Sequence, residues 1–166
     1  MQDAAQSLLQ LCGAMGYRLD HIAGRAVVDS RPFQIFEGSN DILYAQISES
    51  LLKQMKVAKQ ENLYGFLKDY ELTGRASDRL KQLLEFEVDA TMPQRKLVEL
   101  GQVVSRIIAM DLVIKLGERG FNPQLIDASI SSLQQEVSGL LSSYACDHRA
   151  GLIDPYQGHP SWRDFC

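Results

Sequence analysis

"PQRKLVELGQVVSRIIAMDLVIKLGERG", residues 93–120, decides the fold class of this chain. Leu97, Leu100, Val103, Val104, Ile107, Ile108, Leu112, Val113 and Leu116 recur at helical spacing. They form a wide apolar stripe, the pattern of a bundle helix covered on more than one side. Pro93 suits the first turn of this helix and Gly120 its stop. After "FNPQ" the periodicity predicts a last helix over Leu125–His148, with Ile126, Ile130, Leu133, Val137, Leu140, Leu141 and Tyr144 facing inward.

Upstream, "NLYGFLKDYELTG" and "SDRLKQLLEFEVDATM" read as shorter helices, the second capped by Ser77 or Asp78. The polar run "DYELTGRASDRLK" reads as a solvated face. At the N-terminal end one helix covers most of residues 2–12 and stops around Gly13 and Gly16, and a second runs from about His21 to Ser30. Pro32 interrupts, and a third helix starts near Ser39 and continues to about Gln60. The end of the chain, "GLIDPYQGHPSWRDFC", reads as an irregular tail able to pack through Tyr156, Trp162 and Phe165. Strand-like alternation is almost absent, so the expectation is an all-α protein, a helical bundle. A division falls around residues 58–75, between a glycine-punctuated first part and an amphipathic second part.

Composition narrows the function. The 166 residues are 45% hydrophobic and 23% charged, as in a soluble globular protein. A net charge of -4 and the absence of a basic stripe argue against nucleic-acid binding. Cys12, Cys146 and Cys166 are too scattered for a zinc site or a disulfide framework, which makes a reducing compartment the expectation. The opening "MQDAAQSLLQL" lacks the basic and apolar regions of a signal peptide, and no apolar run approaches the roughly 18 residues of a membrane span. His21, His148 and His159 are isolated and read as surface residues, and Cys12 as a small buried residue rather than a nucleophile.

Two segments carry candidate chemistry: "QLCGAMGY" at residues 10–17 and "QIFEGSNDIL" at residues 34–43. Glu37 stands between Phe36 and Gly38, where both helix and strand patterns break. Taken alone, it is an acid favoured by the dipole of the following helix, with Ser39 or Asn40 as the cap. The other reading is a base held at the rim of a site. Similarly, Gly13 or Gly16 is by itself a helix stop.

Together, in this order and without a gap between Gln10 and Glu37, the two segments resemble the C-terminal helical domain of the acyl-CoA dehydrogenases. That FAD-dependent family shows a Gln-x-x-Gly-Gly-x-Gly-Tyr/Phe segment followed by an "IYEGTNEI"-like one. Asp29 stands in the family's Arg-Asp pair, and the resemblance covers about residues 3–57.

The resemblance implies α,β-dehydrogenation of an acyl-CoA thioester, with Glu37 as the catalytic base that removes the α proton and flavin as the hydride acceptor. Such a carboxylate needs exclusion of water, for which Ile35 and Phe36 are reasonable flanks. Gly38 would let the backbone approach the thioester, and the Glu37 N–H would polarise its carbonyl. Gln10, Gly13 and Ala14 match a segment that contacts the FAD of a neighbouring subunit. Ser39 and Asp41 match positions near the dinucleotide, where backbone N–H groups at a helix start receive phosphate.

Departures are visible too. Ala14 replaces the usual second glycine, Val28 the usual arginine, Ser39 a threonine, and Asp41 a longer acid or amide. The family's N-terminal helical domain and middle β domain have no counterpart in this sequence. Residues 1–58 therefore read as the end of the C-terminal helical domain. Residues 59–166 read as a C-terminal helical extension like that of long-chain members, where such a region serves dimer packing or peripheral membrane contact.

The implied partners are acyl-CoA, an electron-transfer flavoprotein and a second copy in a homodimer. The implied location is the cytoplasm, or the mitochondrial matrix in a eukaryote. The chain alone is expected to be inactive and to bind FAD weakly or not at all. The competing expectation is a helical interaction or oligomerisation module descended from the family without its chemistry.

Overall fold

The computed structural model describes residues 2–35, 40–89 and 91–146. Among them the fold is all-α: α1 (Gln2–Leu11), α2 (Ile22–Ser30), α3 (Asn40–Ala58), α4 (Leu63–Asp69), α5 (Gly74–Arg79), α6 (Lys81–Leu84), α7 (Gln94–Glu118) and α8 (Pro123–Ala145). One isolated antiparallel bridge, Asn62 with Glu87, is the extent of β structure among the described residues. Glu37, Gly38, Ser39, His148, His159 and the aromatic tail residues Tyr156, Trp162 and Phe165 lie outside the described residues.

Helix limits follow local chemistry. Gly13 sits at φ +56°, a left-handed conformation that side chains disfavour, and it ends α1 in a short 3-10 turn, Gly13–Met15. His21 caps α2, its Nδ1 accepting from the Ala23 N–H at 3.2 Å, so this histidine is structural. Pro32 opens a 3-10 turn, Arg31–Gln34, directly after α2. Asn62 caps α4 and Asn122 caps α8 through side-chain oxygens that accept first-turn N–H groups.

α7 is the central element, packing against α3 on one side and α8 on another. Its Leu100, Val103, Ile107 and Met110 are fully buried, together with Leu63 and Leu67 of α4, Leu84 of α6 and Val137 of α8. α3 approaches α7 closely at Gly101, where an added Cβ would strike the backbone of Tyr44. Beside this crossing the buried Ser48 hydroxyl donates to the Leu97 carbonyl at 2.6 Å. At the other end of the bundle, Lys96 reaches the Tyr144 carbonyl at the last turn of α8 and lies 4.7 Å from the Tyr144 ring centroid.

Three expectations need correction. Ser77 and Asp78 do not cap a helix, because α5 begins at Gly74 and runs through both. The solvated face expected over residues 69–81 is partly interior: Thr73, Ala76, Ser77 and Leu80 are buried. Thr73 uses its hydroxyl on the Leu67 carbonyl at 2.6 Å, so α5 receives no cap from its own N-cap side chain. Asp111 of α7 supplies one instead. It is 2% exposed and accepts the N–H groups of Arg75 and Ala76 at 2.9 and 3.3 Å, while the Arg75 guanidinium stands 3.1 Å from its other oxygen. Third, the stripe of α7 is not covered along its whole width, since Leu112 and Leu116 are exposed near its C-terminal end.

Candidate functional site

The residues singled out for cofactor contact lie on three local structures. Gln10 is in the last turn of α1, Gly13 and Ala14 form the 3-10 turn beyond it, and Asp41 is in the first turn of α3. All four are exposed. A Cβ built on Gly13 would meet nothing within 4 Å, so the turn presents open backbone to whatever approaches it. Each group is accessible to a flavin nucleotide: an amide, a small-residue turn and an acid beside a helix N-terminus. Five well-formed cavities among the described residues are lined by other residues.

Glu37, Gly38 and Ser39 lie outside the described residues, so the structure describes only what flanks them. Upstream stands the 3-10 turn Arg31–Gln34, anchored by Ser30, whose buried hydroxyl donates to Gln2 Oε1 of α1 at 2.7 Å. Downstream α3 starts at Asn40. Ile35, expected to shield the carboxylate from water, is 64% exposed.

An open groove of about 730 Å³ is lined by Gln2, Gln6, Val27, Val28, Arg31, Pro32 and Ile35. Its walls are apolar except for the two amides and one guanidinium. Val28, where the family pattern has arginine, is half-exposed on this wall, and no ion pair involves Asp29 beside it among the described residues.

The same openness runs through the whole first segment. α1 and α2 pack chiefly on each other and bury small residues, Ala5, Ala23 and Gly24, the last set against the Gly16 and Arg18 carbonyls of the connecting turn. Leu11, Met15, Tyr17, Leu19, Ile22, Val28 and Phe33 stand more than half exposed, Leu11 at 86%. This is a large uncovered apolar surface for a two-helix hairpin.

The main polar feature that sequence reasoning missed is Asp111. Its one signal was an acid within the apolar run "IIAMDLVI", where an unpartnered charge would be costly. Its role is structural, since its contacts are the α5 N–H groups and Arg75.

Residues 1–52 match the family model described as acyl-CoA dehydrogenase, C-terminal domain. This segment, which holds both motifs in register, is similar to part of the C-terminal helical domain of that family, and residues 53–166 lie beyond the match. No curated protein and no solved structure matches the chain.

Proposed function

We propose that the chain is the C-terminal part of an FAD-dependent acyl-CoA dehydrogenase, with residues 1–58 contributing to the active site and residues 59–166 forming a helical extension. The observation that carries this reading is the family match over residues 1–52, which contains "QLCGAMGY" and "QIFEGSNDIL" in order. In this reading Glu37 removes the α proton of an acyl-CoA thioester. The Glu37 N–H polarises the thioester carbonyl, and Gly38 leaves room for it. Flavin, when bound in the complete enzyme, supplies the hydride acceptor. Gln10, Gly13, Ala14, Ser39 and Asp41 contribute contacts to the dinucleotide. An electron-transfer flavoprotein accepts the electrons, and the enzyme works as a homodimer in the cytoplasm or the mitochondrial matrix.

The exposed positions of Gln10, Gly13, Ala14 and Asp41 support a shared pocket, completed by other parts of a longer protein or by a second subunit. The chain alone is then inactive and a weak flavin binder. The test is Glu37→Gln in the longest natural protein that carries this segment. Bound flavin and fold should persist while turnover is lost; ordinary turnover in that variant overturns the assignment.

A second reading rests on the open apolar hairpin: a helical interaction module of the same descent, without chemistry. A continuous dehydrogenase reading frame upstream of Met1 would eliminate it.

A further inference from the structure

A groove of about 650 Å³ lies between the C-terminal half of α3 and the paired backbone of residues 60–62 and 87–89. Its lining is apolar at Leu52, Met55 and Val88, of which Met55 and Val88 are buried. Its rim is charged: Glu61, Glu87 and Asp89 stand exposed there with one cation, Lys56. None of these four joins an ion pair among the described residues. The wall is fixed backbone, since the Leu63 N–H donates to the Phe86 carbonyl at 2.9 Å and the Val88 N–H to the Glu61 carbonyl at 3.0 Å. α8 ends close by. The Tyr144 ring lies 5.8 Å from that of Phe86, and Lys96 Nζ stands 3.5 Å from the Cys146 carbonyl.

We propose that this groove receives Trp162 of the same chain, with Arg163 and Asp164 meeting its charged rim. The lining suits an indole: an aromatic body packs on Leu52, Val88 and the Met55 thioether, while the indole N–H needs an acceptor that the rim carboxylates supply. Phe165 has no such donor. Charge selects the same residue. Arg163 follows Trp162 at once and faces acids in excess, and Asp164 has Lys56 as its counterpart.

Reach allows it. Fully extended, the chain from Cys146 to Trp162 spans up to about 50 Å, ample for a groove that adjoins the end of α8. The larger groove beside α2 carries the opposite charge on its wall, Arg31, and would repel Arg163. Docking of Trp162 needs neither flavin nor Glu37, so it stands or falls apart from the dehydrogenase reading.

Trp162 is the one tryptophan of the chain, so its fluorescence in the full 166-residue chain is the test. Emission should lie at shorter wavelength than in the urea-unfolded chain and be shielded from acrylamide, at any protein concentration. Arg163→Glu, and separately the pair Glu61→Lys/Glu87→Lys, should move emission towards the unfolded value. Each should raise the acrylamide-accessible fraction about threefold, because each turns attraction across the rim into repulsion. Combining all three substitutions should restore the shielded emission. Circular dichroism should show unchanged helix content, since Glu61 and Glu87 are exposed. A Trp162 as accessible as in urea overturns the proposal, and so does shielding that ignores both reversals, which puts the indole elsewhere. Shielding that fades on dilution overturns it too, because the occupant then comes from a second copy, as does a triple variant no better shielded than its components.

Discussion

The hairpin of α1 and α2 and the bundle of α3 to α8 are both helical, yet they solve the problem of apolar surface in opposite ways. The bundle closes on itself: its core cluster runs from Leu51 to Leu141, and α7 is covered from two sides. The hairpin contributes no member to that cluster, buries mostly small residues, and leaves Leu11, Tyr17 and Ile22 open at 86%, 82% and 70%. The family match ends at residue 52, within α3. The region that carries the motifs is thus the less self-sufficient one, and the region outside the match supplies most of the core. In the proposed reading, a site contributed to a larger pocket needs backbone and side chains free to meet other surfaces, whereas an extension needs only to hold itself together.

Substitutions should separate the two regions by size of effect. The largest belongs to Gly101→Val, where a side chain would collide with the Tyr44 backbone and force α3 from α7. A loss of more than about 4 kcal/mol is expected by chemical denaturation. Next comes Ile107→Ala, fully buried at the centre of α7, at about 3 kcal/mol. Its counterpart in the hairpin, Leu11→Ala, should fall within about 0.5 kcal/mol in the monomer, because little is uncovered there. Equal losses for Ile107 and Leu11 would erase the distinction between the regions.

Asp111→Ala should cost about 2 kcal/mol, as it strips two N–H groups of α5 and the Arg75 guanidinium of their buried acceptor. A thermal melt unchanged in this variant would show that α5 is held by apolar packing alone. The smallest effect concerns pH. The Thr91 N–H, and after it the Thr91 hydroxyl, hold the Asp89 carboxyl below its ordinary range. A depressed folded-state value stabilises above the unfolded pKa of about 3.9 and is lost as pH falls through the folded value. Thr91→Ala removes the hydroxyl and keeps the N–H, so an NMR titration should find Asp89 moved part of the way up.

Much of the fold was legible because long helices advertise themselves. The stripe from Leu97 to Leu116 located α7, and Gly13, Pro32 and Gly120 marked real ends or interruptions. The segment from Thr73 to Leu84 was not legible because its cap is not local. Asp111, more than thirty residues away, takes the role that Ser77 and Asp78 are suited to by type. Sequence spacing also could not say that Ile35 and Leu11 would stand open, since covering them depends on surfaces beyond the hairpin. Of the candidate site, Gln10, Gly13, Ala14 and Asp41 proved accessible. Glu37, Gly38 and Ser39 rest on the motif itself.

Hydrogen exchange across the full chain, at a concentration low enough to favour monomer, tests the division most directly. Amides in the middle of α7, from Val103 to Met110, should exchange only through global unfolding, while those of α1 and α2 should exchange through an opening of much smaller free energy. Equal protection in the hairpin and in α7 would contradict the account, because it would mean that the motif-bearing segment shares the stability of the bundle.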